Sequence, residues 1–236
     1  MALIDFHSHI LPGIDDGSAN VEQSFAMLRM MEQQGIKQVV ATPHFYPQHD
    51  SPERFVQRRE RAYQQLCDQV LIRESFPEVI LGAEVYFFRG MSQSDQLERL
   101  TIGEKRCILI EMPMAAWTDE MYRELEQIRT QRGIVPIVAH IDRYLRPFTA
   151  GARMRRLEQS PVVVQANADF FLKRTTARTA LRLLKENRIH LLGSDCHDTE
   201  RRKPNLDAAL QRVRTKLGDD VIRRIEMHQE ELLDLK

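Results

Sequence analysis

The sequence predicts a single-domain α/β protein built on a parallel, barrel-type sheet. Short apolar runs alternate with amphipathic helical patterns about seven times along the chain, and this alternation is typical of βαβ units. No Gly/Ser-rich linker or shift in composition divides the 236 residues. Because α/β barrels commonly have this length as one domain, we expect residues 1–236 to form a single domain.

The composition excludes several classes of function. The chain carries 34 basic and 34 acidic side chains, so its formal net charge is zero, which argues against bulk attraction to nucleic acid or membranes. No apolar run is long enough to span a bilayer, and no Gly-rich nucleotide-binding motif occurs. The first residues lead into a strand rather than a secretory signal. Widely spaced Cys67, Cys107 and Cys196 favour thiols over disulfides. The expected location is the cytoplasm.

Local signals define the elements in order. The first predicted strand, 3–6, is apolar and leads into a Pro-Gly loop. Asn20 is a suitable N-cap for a helix that stops before Gly35, and Thr118 and Gly133 bound a later helix in the same way. The remaining predicted elements are strands 36–41, 79–85, 106–110, 134–139, 162–165 and 189–192, and helices 53–74, 93–100, 150–159, 174–187, 206–217 and 219–236.

Metal-binding side chains stand at the ends of these strands. Carboxyl ends of parallel strands in a barrel meet at one rim, where such folds place their active sites. Five of the eight histidines fall at that rim, whereas His49, His190 and His228 are interpreted as ordinary loop, strand or helix residues. Together with a carboxylate of the opening loop, the candidate ligands are His7, His9, Asp16, His44, Glu84, Glu111, His140, Asp195 and His197.

The types of these side chains indicate the chemistry. Imidazole and carboxylate suit Zn²⁺, Mn²⁺ or Fe, and the absence of a thiolate cluster argues against a structural zinc site. Nine ligands are too many for one ion and suffice for two or three ions with shared carboxylates. Ions about 3.5–4 Å apart suit phosphoester hydrolysis. Each residue alone also has a structural interpretation, such as helix capping by Asp16 or a buried ion pair for Glu84.

The motifs together resemble the polymerase-and-histidinol-phosphatase (PHP) superfamily. The resemblance rests on His7-x-His9, Asp15-Asp16-Gly17, Thr42-Pro43-His44, Gly82-Ala83-Glu84, His140-Ile-Asp-Arg143 and Ser194-Asp195-x-His197. The opening His-x-His-x-Leu-Pro-Gly-x-Asp-Asp-Gly is similar to the bacterial capsule-type tyrosine phosphatases of that superfamily. Asp142 stands where Glu is more usual. The resemblance implies a distorted (β/α)₇ barrel with three divalent ions, commonly Mn²⁺, with Fe or Zn²⁺ possible.

The resemblance also implies a division of the ligands and a substrate. One ion would be bound by His7, His9, Glu84 and Asp195. A second ion would be bound by Glu84, Glu111 and His140. The third would be bound by Asp16, His44 and His197. Arg143 and Arg202 match positions where arginine faces the phosphate, and Arg201 is the alternative to Arg202. A metal-bridging hydroxide would attack phosphotyrosine, and the expected partner is a tyrosine-phosphorylated protein such as the tail of a bacterial tyrosine kinase controlling polysaccharide synthesis. Oligomeric state is left open.

Several other interpretations can be tested. Cys196 and Arg202 have the spacing of cysteine-dependent tyrosine phosphatases, but two acidic residues between them would repel an anion. A small-molecule phosphatase, such as one acting on histidinol phosphate, is the main alternative, and a non-catalytic metal-stabilised partner domain is another. Four aromatic residues after strand ends could line a slot for a tyrosine ring or simply pack loops: Phe45, Tyr46, Trp117 and Tyr144.

Overall fold

Parallel strands and helices alternate along the chain, as the sequence predicts. The computed structural model describes residues 3–70, 76–103, 107–145 and 150–233. The strands in these residues are Leu3–Ser8 (β1), Ile36–Ala41 (β2), His44–Phe45 (β3), Glu78–Leu81 (β4), Glu84–Tyr86 (β5), Cys107–Glu111 (β6), Val135–Val138 (β7), Val163–Asn167 (β8) and Leu191–Gly193 (β9). The α-helices are Val21–Gln33 (α1), Pro52–Val70 (α2), Asp119–Arg132 (α3), Ala150–Glu158 (α4), Ala168–Leu172 (α5), Ala177–Lys185 (α6), Leu206–Leu217 (α7) and Asp219–Leu233 (α8). The predicted helix 93–100 is wrong, since two short 3₁₀ helices, Met91–Gln93 and Leu97–Leu100, occupy this region, and a third 3₁₀ helix spans Ile141–Tyr144.

The strands form two parallel sheets that meet at their edges. One sheet has the order β1-β2-β4, and the other has the order β3-β5-β6-β7-β8-β9. A parallel bridge between Ser8 and Cys196 joins β1 to the segment after β9, and the amide of Asp195 donates to the carbonyl of His7 at 2.8 Å. The predicted count of seven strands is not confirmed strand by strand. A count of seven is reached only if β2 and β3 are taken as one interrupted strand and β4 and β5 as another.

The predicted continuous strand 79–85 is wrong, because the chain leaves the first sheet at Gly82. The Gly82 carbonyl accepts a hydrogen bond at 2.8 Å from the Arg59 side chain of α2. The Gly82 amide donates to Ala41 at 2.8 Å. Pairing resumes at Glu84, which lies opposite His44 in the second sheet. This break brings Glu84 next to His44.

Other boundaries differ in smaller ways. Asn20 and Thr118 cap α1 and α3 through their side chains, and Gly133 ends α3 in the left-handed conformation, as predicted. The sequence did not predict β3 or α5. Helix α5 follows β8 directly at Asn167 and is too short to show a helical period. Arg106, predicted to begin the fourth strand, and residues 71–74, predicted to end the long helix, lie outside the described residues.

Apolar residues cover both sides of the strands. A large buried cluster includes Leu28, Ile110 and Val213 and packs helices against the sheets, and a smaller one includes Phe6, Leu109 and Ile137 from neighbouring strands. Burial on both sides explains why the strands appear in the sequence as continuous apolar runs. None of the helices within the described ranges is both long and apolar enough to cross a bilayer.

His190 and His228 pack against each other away from the strand-end histidines. Their rings are 5.2 Å apart, and the Val164 amide donates to His190 Nδ1 at 3.0 Å. Burial and the neighbouring positive charges of His228 and Arg224 lower the pKa of His190 to about 4. His190 is therefore a neutral hydrogen-bond acceptor of the core, in keeping with its ordinary role in the sequence interpretation.

Candidate metal centre

The structure brings the nine predicted ligands together at the carboxyl ends of the strands. His7 and Glu111 lie at the ends of β1 and β6, whereas His44 and Glu84 begin β3 and β5, shortly after the carboxyl ends of β2 and β4. The others lie in the segments that follow β1, β7 and β9. Eight of the nine, all except His140, form overlapping groups in which the imidazole and carboxylate donor atoms lie within 4.8 Å of one another. The groups found in the described residues are His7–His9–Glu84–Asp195, His9–Asp16–His44–His197 and His44–Glu84–Glu111.

Glu84 is the centre of this arrangement. Its carboxylate is 1% exposed, and its Oε2 lies 3.2 Å from nitrogens of His7, His9 and His44. Its Oε1 lies 2.5 Å from His140 Nε2. One buried carboxylate therefore touches four histidines that come from different parts of the barrel rim.

The first group matches the predicted set His7, His9, Glu84 and Asp195. The Nε2 atoms of His7 and His9 are 3.2 Å apart, and each lies 3.5 Å from Asp195 Oδ1. An ion that holds its ligands at about 2.1 Å keeps adjacent donor atoms about 3.0–3.4 Å apart in octahedral or tetrahedral geometry. The spacing of this group therefore fits a single ion.

The other two groups overlap with the predicted sets but differ in membership. His140 Nε2 lies 3.8 Å from Glu111 Oε1, so the predicted set of Glu84, Glu111 and His140 does meet, and His44 is also close to both carboxylates. Asp16 Oδ1 lies 3.5 Å from His44 Nε2 and 3.4 Å from His197 Nε2, so the three residues of the third predicted set are close together. His9 joins this last group.

Hydrogen bonds orient several histidines so that Nε2 faces the cluster. His9 Nδ1 donates to Asp15 Oδ2 at 2.7 Å, and His197 Nδ1 donates to the carbonyl of Asp195 at 3.0 Å. His7 Nδ1 lies 3.4 Å from Gln165 Oε1. A histidine that ligates a metal commonly donates its other ring N–H in this way, which fixes the tautomer and the ring orientation.

The electrostatics of the cluster suit a bound cation. Burial lowers the pKa of His197 to about 4, and nearby His9 acts in the same direction, so this ring is neutral and able to ligate. Burial disfavours a charged His9, but hydrogen bonds to Asp15 and Glu84 outweigh it and raise the pKa of His9 to about 10. Burial and the charge of Glu84 raise the pKa of Glu111. A metal ion would replace the His9 proton and relieve the crowding of carboxylates.

Unsatisfied atoms support the same conclusion. Among the described residues, His44 Nδ1 and His197 Nε2 are buried and make no hydrogen bond of acceptable geometry. Each faces a carboxylate oxygen instead, with Glu84 Oε2 3.2 Å from His44 Nδ1 and Asp16 Oδ1 3.4 Å from His197 Nε2. Buried polar atoms that lack a hydrogen bond need an explanation, and an ion shared between the imidazole and the carboxylate supplies one. The donor set, its spacing and these atoms fit bound divalent ions.

Two of the candidate ligands have a strained backbone. His140 has φ of 30° and Asp195 has φ of 53°, and Asn187 is the one other non-glycine residue with positive φ in the described ranges. Positive φ is unfavourable for residues with a Cβ and concentrates at functional sites, where surrounding contacts maintain it. Here the Asp195 amide is held by the His7 carbonyl, and the His140 amide donates to Gln165 Oε1 at 2.5 Å.

Two arginines face the cluster. Arg143 Nη2 donates to Asp195 Oδ2 at 2.6 Å, and its Nη1 lies 3.5 Å from Glu111 Oε1. Arg202 Nη2 lies 2.8 Å from Asp195 Oδ1. The side chains of Arg143 and Arg202 are 33% and 39% exposed, so both can reach a molecule bound at the rim. Arg201 is exposed, and its backbone amide bonds to Asp198.

The sequence interpretation missed residues that hold the candidate ligands. Asp15 binds His9 and also accepts from the His44 amide at 3.0 Å. Strand β8 has no predicted site residue, yet Gln165 contacts His7 and His140, and Asn167 Nδ2 donates to Asp195 Oδ2 at 2.7 Å. The spacing Gln165-x-Asn167 on a predicted strand end is the signal that could have revealed them.

Cys196 is buried, in keeping with the rejection of a cysteine-dependent site. It is 0% exposed, and burial together with the nearby carboxylate of Asp5 raises the pKa of its thiol well above the usual range. A catalytic cysteine needs an accessible thiolate.

Fold and site together define an α/β protein with a metal-binding cluster at the carboxyl ends of parallel strands. Residues 3–233 match the family of capsular polysaccharide synthesis, CpsB/CapC, and the chain belongs to this family. The predicted resemblance to capsule-type phosphatases is thereby confirmed.

Relatives and a solved structure support this assignment. The chain is 28% identical over 231 residues to the tyrosine-protein phosphatase CpsB of Streptococcus pneumoniae, covering 92% of this chain and 91% of the relative. It is 28% identical over 232 residues to the tyrosine-protein phosphatase YwqE of Bacillus subtilis (strain 168), covering 93% and 87%. A crystal structure from work on YwqE and CpsB, described as unique metal-dependent tyrosine phosphatases, matches with a TM-score of 0.84 at 25% identity, covering 98% and 94%.

Proposed function

We propose that this chain is a metal-dependent protein-tyrosine phosphatase whose ions are bound by the nine clustered residues. The observation that carries the proposal is Glu84, a buried carboxylate in contact with four histidines. A shared carboxylate of this kind suits a site with more than one ion. The names of the relatives supply the substrate class, and the family description supports a role in capsular or related polysaccharide synthesis.

Three divalent ions, most readily Mn²⁺ with Fe or Zn²⁺ as alternatives, are part of the proposal. The ions would be divided as the motifs imply, with His9 and His44 able to contribute to neighbouring positions. When bound, such ions supply an activated water and neutralise charge on the phosphoryl oxygens. The chain holds its donors for them through Asp15, Gln165 and Asn167, which orient histidines and Asp195 from behind.

Arg143 and Arg202 would bind the phosphoryl oxygens. Both guanidinium groups already lie against Asp195, so they stand beside the first donor group with part of each side chain open to solvent. A planar guanidinium can donate to two phosphate oxygens at once. Arg202, which faces the cluster, is preferred to Arg201 for this role.

The proposed substrate is a tyrosine-phosphorylated protein, with the tail of a bacterial tyrosine kinase as the specific candidate. Hydrolysis would take place in the cytoplasm, where reducing conditions suit a chain with three widely spaced cysteines. Oligomeric state is not part of the proposal.

Phosphate release by metal-depleted and Mn²⁺-reconstituted protein tests this function. The substrates are a phosphotyrosine peptide and histidinol phosphate. We expect activity on the peptide only after Mn²⁺ is restored, and strong loss of activity in Glu84→Gln with the fold retained. Glu126→Gln is the matched control, because Glu126 is exposed on α3 and outside the donor groups found in the described residues.

Two results would contradict the proposal. Greater turnover of histidinol phosphate than of the peptide would favour the small-molecule alternative. Inactivity on every phosphoester with Mn²⁺ bound would favour a non-catalytic domain.

A further inference from the structure

The four aromatic residues near the strand ends have different surroundings. Phe45 and Tyr144 are each 1% exposed and belong to the core, and the Tyr144 hydroxyl accepts from the Met112 amide at 3.0 Å. Trp117 Nε1 donates to the Pro113 carbonyl at 3.0 Å. Three of the four residues are therefore engaged in packing and holding the loops.

Trp117 is also covered by a cation. The guanidinium of Arg153 lies 4.5 Å from its ring centroid, and the Tyr144 ring packs against it at 5.1 Å. These contacts occupy the indole ring, so Trp117 is poorly placed to receive a substrate ring.

Tyr46 is in a different position. It is half-buried and lines a cleft of about 400 Å³ together with Ile14, Phe55 and Arg58. Its ring stacks on His44, with the centroids 5.2 Å apart and the planes at 28°, and Tyr86 lies 5.8 Å away on the same rim. The ring thus connects the cleft to the donor cluster.

The cleft opens directly onto the candidate metal centre. Asp16 and His44 line it and also belong to one donor group. In phosphotyrosine a single ester oxygen joins the phosphorus to the ring. When the phosphoryl group is bound at the donor cluster, the substrate ring must therefore lie immediately beside that cluster. A second cleft of about 310 Å³, lined by Phe88, Pro113 and Met121 among others, contains none of the nine donor residues.

On the basis of the proposed function, we propose that the first cleft is the subsite for the phosphotyrosine ring and that Tyr46 is its specificity-determining wall. The side chain of Ile14 and the ring of Tyr46, both partly exposed, would flank the substrate ring. Phe55 also borders the cleft but is 0% exposed and belongs to the core. Offset or edge-to-face contacts between aromatic rings contribute beyond their buried area. An alkyl phosphate would reach the same donors without these contacts.

Binding of phenylphosphonate and methylphosphonate to the Mn²⁺-loaded protein, measured by calorimetry, tests the subsite without depending on turnover of an ester. Tyr46→Leu should weaken phenylphosphonate binding by about two- to twelvefold, the range expected for one aromatic pair, and leave methylphosphonate binding unchanged. Tyr46→Phe keeps the ring and should bind both as the wild type does. Phe88→Leu, in the second cleft, is the matched control and should change neither.

Metal content is measured in every variant. Equal weakening of both phosphonates in Tyr46→Leu, or no change in either, would overturn the proposal. Loss of bound metal in Tyr46→Leu would assign the ring to holding His44 and would also overturn it. If the wild type fails to hydrolyse phosphotyrosine, the proposed function fails, but inhibitor binding can still be measured by calorimetry and reports on the subsite separately.

Discussion

Gly193→Ala should damage the metal centre without removing any donor atom. Gly193 lies at the end of β9, two residues before Asp195, and packs against β1. A Cβ added there would lie 2.5 Å from His7 Cβ and 2.8 Å from the His7 backbone nitrogen. The second contact is with backbone, so rotation of a side chain cannot relieve it. Strands β1 and β9 would have to separate.

The size of the effect follows from this distance. Opening a 2.5 Å contact to an ordinary van der Waals separation requires a movement of roughly 0.9 Å between the two strands. Overpacking of this kind costs about 1–3 kcal/mol of folding free energy. A displacement of about 1 Å at reacting groups can cost on the order of a hundredfold in rate, and His7 and Asp195 would both be displaced.

The assay compares three properties of Gly193→Ala and Gly151→Ala: free energy of unfolding, metal content and phosphate release from a phosphotyrosine peptide. Gly151 is the matched control, because its added Cβ would meet nothing closer than the Arg155 side chain at 3.5 Å within α4, and alanine in a helix is favourable. Full activity and full metal content in Gly193→Ala would refute the reasoning, since the β1–β9 spacing would then not determine the site.

Three further outcomes are expected. Cys196→Ala should keep most of the phosphatase activity, because the buried thiol takes no part; loss of activity at full metal content would restore the cysteine mechanism. Arg202→Ala should lower kcat/KM on a phosphotyrosine peptide about tenfold or more, whereas Arg201→Ala should lower it little; the reverse order would exchange their roles. Because the pKa of His190 is lowered to about 4, its native ring stays neutral while the unfolded ring binds a proton below about pH 6.5. The contribution of His190 to stability is therefore complete above about pH 6.5 and is lost as the pH falls toward 4. Denaturant unfolding measures the fall in free energy of unfolding from pH 7.5 to pH 5.5. This fall should be about 1 kcal/mol smaller in His190→Gln than in the wild type. Equal falls would contradict a neutral His190 in the native protein.

The positions of the strands and most of the candidate donors could be predicted from the sequence. Strands buried on both faces appear as short apolar runs, and a histidine or carboxylate at the end of such a run must reach the same rim in a parallel barrel. His7, His9 and Glu84 were predicted in this way, and the structure brings them within hydrogen-bonding distance.

The missing details depend on long-range contacts. At the Gly82 break the carbonyl is bound by Arg59, which lies 23 residues earlier in the sequence, and no local pattern encodes that contact. Asp15 and Asp16 are adjacent carboxylates, so sequence alone could not show that Asp15 is buried against His9 while the side chain of Asp16 is 67% exposed. Gln165 is uncharged and was overlooked for that reason.

The most direct test of the central claim is a crystal structure of the Mn²⁺-loaded protein with anomalous diffraction collected at the manganese edge. We expect anomalous peaks within the donor cluster, with one among His7, His9, Glu84 and Asp195 and another among Asp16, His44 and His197. A protein that hydrolyses phosphotyrosine in the same Mn²⁺ solution but shows no peak among these residues would contradict it.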